Sequence, residues 1–224
     1  VGMEVAELLR GLAVMVGPFP RFDVEGAPER PGELFVQWLA QAVREDVVEP
    51  HVVTLSTADE RGRPSSRVLM LRDVDAERAG WVFASSALSR KGVELSRNPW
   101  AAMTMYWTEQ GRQVRVSGRV EAADPETGRR AFLQRPEPAR LAGLIGRQSA
   151  PMADLAQFDA ADREARELLR GHPEAVPPDF TVYTLWADEV EFWQGDPERR
   201  HIRLRYERVD EGAADGWRKE LLWP

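Results

Sequence analysis

The segment ASSALSRKG (84–92) leads from a β-rich run through small polar residues into a helix start, and it places Arg90 and Lys91 in the first turn. Backbone N–H groups and the helix dipole already favour an anion at such a place, and two full positive charges add to that. A phosphate there would accept charge-assisted hydrogen bonds worth roughly 1.5–3 kcal/mol each. A capped helix with a basic first turn would carry the same letters. Lys91 stands out because, of 30 basic residues, only it and Lys219 are lysines.

Four further groups could carry chemistry. Arg67 and Arg72 bracket VLML on a predicted strand, where a period of two points them to opposite faces; the plain alternative is a pair of solvated arginines. Gln113, in RQV at a strand start, could bond an amide-bearing ring or simply face water. The string GRQSAP (146–151) offers Arg147, Gln148 and Ser149 in a loop ahead of a helix, where capping is the competing role. In EFWQGDPERRHIRLRYER (191–208), Arg199, His201 and Arg203 alternate and are expected to share one face of a strand. Two cations flanking a histidine repel one another, so an anionic or electron-rich ligand between them would make the arrangement favourable. An exposed basic edge strand that deters aggregation is the alternative.

The elements that must position these groups follow from periodicity and turn chemistry. PGELFVQWLAQAV (31–43) spaces Leu34, Phe35, Trp38, Leu39 and Ala42 as an amphipathic helix, with Pro31 acceptable in its first turn. Strands are predicted at 52–57, 67–71, 81–84, 101–107 and 113–120, separated by DERGRP, DVDAERAG and TEQGR. Helices are predicted at 89–97 with Ser89 as N-cap, at 124–134 with Asp124 as cap and Pro125 in the first turn, and at 152–170 ending on Gly171. Strands return at 180–186, 190–192, 201–208 and 217–222, after a proline-rich loop at 172–179. Regular short strands of this kind suggest an antiparallel barrel or sandwich.

Composition narrows the function classes. A chain of 224 residues with 43% hydrophobic and 30% charged residues is long enough for a real core. No apolar run approaches the ~18 residues of a membrane span, and Glu4, Glu7 and Arg10 interrupt the start, so a cytoplasmic protein is expected. A net charge of −7 argues against nucleic acid as a partner. With no cysteine, and with His51, His172 and His201 dispersed, no metal site is expected.

The order RVLMLRDVD, WVFASSALSRKG, RQVRVSGRVE, FLQRP, RQSAP, VEFWQG, RRHIRLRYER and a terminal LLWP resembles the pyridoxamine 5′-phosphate oxidase family from residue 31 to residue 224. The resemblance implies a mainly β fold with flanking helices (α+β), an antiparallel split β-barrel binding FMN. Residues 31–224 would form this domain behind an N-terminal segment, 1–30. It further implies a homodimer with two FMN sites at the interface, each built from both subunits.

Carried over motif by motif, the implied FMN ligands are Arg67, Val68, Leu69, Arg72, Ala84, Ser85, Arg90, Lys91, Gln113, Gln148, Ser149, Trp193 and Arg203, with the phosphate on Arg67 and Lys91. Arg199 and His201 fall where the family contacts the substrate ring over the flavin, which makes them the expected catalytic pair. Arg135 matches an arginine that holds the substrate phosphate. Its family companions are altered: a tyrosine is Ala131, a serine is Ala139, and a lysine is Arg72. Losing two hydroxyl partners costs roughly 1–3 kcal/mol each and enlarges the pocket.

The expected reaction is hydride transfer from a heteroaromatic or amine substrate to FMN, with O2 as the acceptor that reoxidises it. The two alanines favour a bulkier, phenazine-like substrate over pyridoxine or pyridoxamine 5′-phosphate. A genuine oxidase of those phosphates, making pyridoxal 5′-phosphate, is one alternative. A flavin- or heme-binding split barrel without turnover is the other.

Overall fold

A computed structural model describes residues 4–209 and 216–224; the first three residues of the N-terminal segment lie outside them. The short helix α1 (Val5–Arg10), which has no side-chain cap, buries none of its residues. In α2 (Pro31–Arg44) the apolar stripe behaves as its spacing predicts, burying Leu34, Phe35, Trp38 and Ala42.

After α2 the chain forms β1 (Val52–Ala58), β2 (Pro64–Met70), β3 (Asp73–Asp75), β4 (Gly80–Ser86), α3 (Arg90–Arg97), β5 (Trp100–Trp107) and β6 (Arg112–Ala122). Three helices follow, α4 (Pro125–Leu133), α5 (Glu137–Ile145) and α6 (Leu155–Gly171), and then β7 (Phe180–Gln194), β8 (Ile202–Arg208) and β9 (Trp217–Leu221). All pairings are antiparallel, in the order β2-β1-β5-β6-β7-β4-β3, with β8 added to β7 and β9 to β8. The sheet is that of a split β-barrel with flanking helices.

The strand β7 holds this barrel together. Its first half pairs with β4 from Phe180 to Trp186, its second half pairs with β8 from Glu189 to Gln194, and β6 runs along its other side. The register shifts between Ser117 and Gly118, which leaves Asp188 as the extra residue of a bulge. The inward positions are Tyr183, Leu185 and Ala187 before the bulge but Val190, Phe192 and Gln194 after it. Gly118 is required there, because a Cβ would stand 2.0 Å from the Trp186 carbonyl oxygen. Two strands, 180–186 and 190–192, were expected; the break in alternation is the bulge inside one strand.

Other boundaries shift for local reasons. The second strand, expected at 67–71, begins at Pro64 and stops at Met70. There the chain changes neighbours: the Leu71 N–H donates to His51 O at 2.8 Å, and the Arg72 N–H donates to Val82 O at 2.8 Å. Arg72 is therefore not on the strand of Arg67, and the opposite-face argument for the pair does not apply. The helix expected from residue 152 starts at Leu155, because Asp154 caps it by accepting from the Gln157 N–H at 3.0 Å. The unanticipated α5 carries Pro138 in its first turn, where a missing N–H costs nothing.

The core is aromatic. Phe35 meets Trp81 edge-on at 5.6 Å, and Trp38 lies between Phe22 at 4.9 Å and Phe192 at 5.1 Å. The segment before α2 is tied to the far strands: Tyr206 Oη donates to Pro28 O at 2.7 Å, and Lys219 Nζ donates to Ala27 O at 3.1 Å. Because Phe35 is fully buried at the centre of this cluster, Phe35→Ala is expected to lower the unfolding free energy by about 3–5 kcal/mol. Urea unfolding measures this, and a loss below about 1 kcal/mol would show that α2 does not seal the barrel.

Candidate functional site

The strand β2, the C-terminal end of β4, the first turn of α3, the 146–151 loop and residues of α5 and α6 line an open cavity of about 880 Å³. Its walls bring together Arg67, Val68, Leu69, Ala84, Ser85, Arg90, Lys91, Arg135, Gln148 and Ser149. These residues come from five separate segments of the chain.

The cationic end is built on α3. Ser89 caps the helix by accepting from the Gly92 N–H at 3.3 Å. Gly92 lets the first turn lie on the preceding loop, since a Cβ there would come within 2.4 Å of Ala87 O. This close packing buries Lys91, which is 7% exposed and donates only to neutral oxygens, Ser89 Oγ at 3.1 Å and Gln148 Oε1 at 3.2 Å. Burial, with the charge of Arg67 added, lowers its pKa to about 8. Gln148 also accepts from Ser85 Oγ at 3.2 Å, and Ser149 Oγ accepts from the Arg90 N–H at 3.2 Å.

A carboxylate that sequence reading missed stands behind these cations. Glu94, 5% exposed, accepts from Arg90 Nε at 2.8 Å, Ser65 Oγ at 2.6 Å and Thr57 Oγ1 at 2.5 Å, and lies 3.5 Å from Arg67 Nη2. Burial would raise its pKa, but the hydrogen bonds from Ser65, Thr57 and Arg90 hold it at about 2. Its position four residues after Arg90 is the spacing of a helical ion pair, a signal present in the sequence. Thr57 and Ser65 become neighbours only through the β1–β2 register.

At the other end of the cavity, Arg135 packs near the rings of Phe180 and Phe132, at 5.2 and 5.7 Å. Burial lowers its pKa, as does the charge of Arg72. Ala142, Met152, Phe158 and Ala161 give this end an apolar wall. Ala131 in α4 and Ala139 in α5 are half-buried and stand outside the lining, as does the exposed Arg72.

The remaining expected residues form a second group, which this chain does not bring to the cavity. Gln113, Trp193 and Arg203 are direct cross-strand neighbours on β6, β7 and β8. Val114, Phe192 and Leu204 beside them face the core, so these three face outward. Arg203 is neutralised by Glu191, with Nε to Oε1 at 2.8 Å, and its Nη1 donates to Trp223 O at 2.9 Å.

The expected single face of Arg199, His201 and Arg203 is not found. The strand β8 begins at Ile202, and Arg199 sits in a turn with φ of 66°. Asp196 organises that turn: its carboxylate accepts from the Glu198 N–H at 2.7 Å, and its own N–H donates to His201 Nδ1 at 3.1 Å. The His201 ring lies 4.8 Å from Trp193. The repulsion argument for a ligand between two arginines therefore lapses.

A family model described as pyridoxamine 5′-phosphate oxidase matches residues 39–194, and one described as the pyridoxine 5′-phosphate oxidase C-terminal dimerisation region matches residues 180–224. A pyridoxine/pyridoxamine 5′-phosphate oxidase of Burkholderia thailandensis is 40% identical over 207 residues, covering 92% of this chain and 89% of that protein. Among solved structures, PhzG from Burkholderia lata in complex with tetrahydrophenazine-1-carboxylic acid superposes with a TM-score of 0.84 at 32% identity, covering 93% of this chain and 100% of the other. A pyridoxamine 5′-phosphate oxidase-related, FMN binding protein from Nostoc punctiforme shares the fold, with a TM-score of 0.69 at 20% identity over 87% of this chain and 97% of that one.

The Lys91 geometry gives a pH dependence. Below about 8 the ammonium is charged and attracts an anion; above that value the charge is lost. Affinity for a phosphomonoester is therefore expected to fall as pH rises from about 7 to about 9, and Lys91→Arg is expected to flatten the profile because a guanidinium stays protonated. Calorimetric titration at several pH values measures both, and a flat wild-type profile would mean that Lys91 does not meet the anion.

Proposed function

The chain belongs to the pyridoxamine 5′-phosphate oxidase family, and from that premise we propose that it is an FMN-dependent oxidase whose flavin phosphate is held by Arg67 and Lys91. The observation that carries this reading is Lys91 itself, a buried cation with neutral partners beside Arg67, on the wall of an open cavity. Arg67, Arg90 and Lys91 against Glu94 leave two positive charges, and a phosphomonoester brings about −1.5 to −2 at neutral pH. The residues present fit the group. Bound there, FMN would supply the redox chemistry of a hydride acceptor, with O2 the proposed oxidant.

Gln113, Trp193 and Arg203 would reach the flavin held by a second copy in a homodimer. Their outward face and the match to a dimerisation region across residues 180–224 support this, as does the exposure of Val68, Trp100, Tyr106 and Trp223. Arg199 and His201 would orient the substrate. Because His201 Nδ1 accepts from the Asp196 N–H, the neutral ring carries its proton on Nε2, and Nε2–H is the donor it can offer. Among the described residues no helix is long and apolar enough to cross a membrane; placement in the cytoplasm is part of the same proposal.

The substrate we propose is a heteroaromatic compound bulkier than pyridoxine 5′-phosphate, its anionic group on Arg135 and its ring against the apolar wall of Phe158 and Met152. The name of the 40% identical relative favours a second reading, pyridoxine or pyridoxamine 5′-phosphate. Oxygen uptake under steady-state conditions separates them, and efficient turnover of either phosphate would overturn the first reading. Under that first reading, Ala131→Tyr with Ala139→Ser is expected to tighten binding of those phosphates by about tenfold. Arg67→Ala is expected to weaken FMN retention by at least about tenfold; unchanged flavin content would remove Arg67 from the phosphate site.

A further inference from the structure

We infer that Glu94 is a positioning residue for the phosphate end of the site, acting on Arg67 through two hydroxyl groups. The inference rests on the proposed FMN phosphate site. Arg67 Nη1 donates to Thr57 Oγ1 at 2.6 Å, and Arg67 Nη2 donates to Ser65 Oγ at 2.5 Å. A hydroxyl has one proton and two lone pairs. Each of these hydroxyls gives its proton to Glu94 Oε2, Thr57 at 2.5 Å and Ser65 at 2.6 Å, and so presents lone pairs to the guanidinium.

The carboxylate thus fixes both hydroxyl orientations, and the two hydroxyls fix the plane of Arg67. Leu55 O adds a second acceptor for Nη1 at 3.3 Å, and Nη2 also lies 3.5 Å from Glu94 Oε2, a contact longer than the two hydroxyl bonds. Among the described residues, Nε is the Arg67 nitrogen with no hydrogen-bond partner. The other carboxylate oxygen, Oε1, takes Arg90 Nε at 2.8 Å. One buried side chain therefore sets two of the three cations in the wall, while Lys91 is set separately by Ser89 and Gln148.

With Glu94 replaced by alanine, the Thr57 and Ser65 protons lose their shared acceptor, so both hydroxyls are free to rotate and no longer hold the guanidinium in one plane. A glutamine keeps an oxygen that accepts from both hydroxyls. The effect concerns the phosphate, so it should separate FMN from riboflavin, which has the same ring system without that group.

Fluorescence titration of the flavin-free dimer with FMN and with riboflavin tests this. Wild type is expected to prefer FMN by at least about tenfold, Glu94→Ala to lose about tenfold of that preference with riboflavin affinity held within about twofold, and Glu94→Gln to stay within about threefold of wild type. Ser65→Ala, which removes one relay and keeps the charge, is expected to lose FMN affinity severalfold and serves if Glu94→Ala fails to fold. A wild type with no preference for FMN would overturn the phosphate site and this inference together. A wild type with that preference, retained in Glu94→Ala or in Ser65→Ala, would overturn the inference alone. Glu94→Gln as weak as Glu94→Ala would also overturn it, because the acceptor oxygen would then not be what matters.

Discussion

One strand with three neighbours is the constraint on which the molecule depends. Between Phe180 and Gln194, β7 exchanges hydrogen bonds with β6 on one side and with β4, then β8, on the other. A strand has two edges, so the exchange of β4 for β8 must occur where the sheet parts, at Ala187 to Glu189. The bulge at Asp188 supplies the extra residue that carries inward side chains from odd to even positions. Without it either Leu185 or Phe192 would turn to the outside. The same strand thereby places Phe180 in the cavity wall at one end and Trp193 on the outer face at the other.

The second constraint is electrostatic. Burying a lysine without a carboxylate partner is costly, and the fold tolerates it because Ser89 and Gln148 supply dipoles and because the cavity is open to solvent on one side. Glu94 prevents the cost from becoming larger, since three cations in one wall with no anion would repel strongly. It is held ionised by the donors that surround it. A site of this kind is poised for an anion before any anion arrives.

Much of this was legible in the letters. Ser89, followed by Arg90 and Lys91 after a β-rich run, marked a capped helix with a cationic start, and the cap is present. The stripe from Leu34 to Ala42 marked the helix that covers the barrel. What was not legible depends on tertiary pairing. Thr57 and Ser65, eight positions apart across a hairpin connection, look like ordinary strand residues until register sets them opposite one another. Arg199 looked like part of a strand because the alternation RRHIRLRYER continues through it, but the Asp196 carboxylate captures the backbone as a turn first. Glu94 lies at a helical ion-pair spacing from Arg90, but such pairs are usually surface features and nothing in the letters marks this one as buried.

The two cationic ends of the cavity are built on different principles, and this difference bears on what each can select. At Lys91 and Arg67 the positions of donors are fixed by oriented hydroxyls, an amide and a carboxylate, so an anion of one shape meets prepared groups. At Arg135 the guanidinium has two aromatic rings and, among the described residues, no side-chain hydrogen bond or ion pair to hold its plane. Ring packing restrains position more than it restrains hydrogen-bond direction. Under the proposed function the first end would discriminate by geometry, whereas the second would accept anionic groups of different shapes. Arg72 is the cation whose charge reaches Arg135, whereas Ala131 and Ala139 stand outside the lining, so under the proposed function a change of substrate would have to come from the residues that line the Arg135 end.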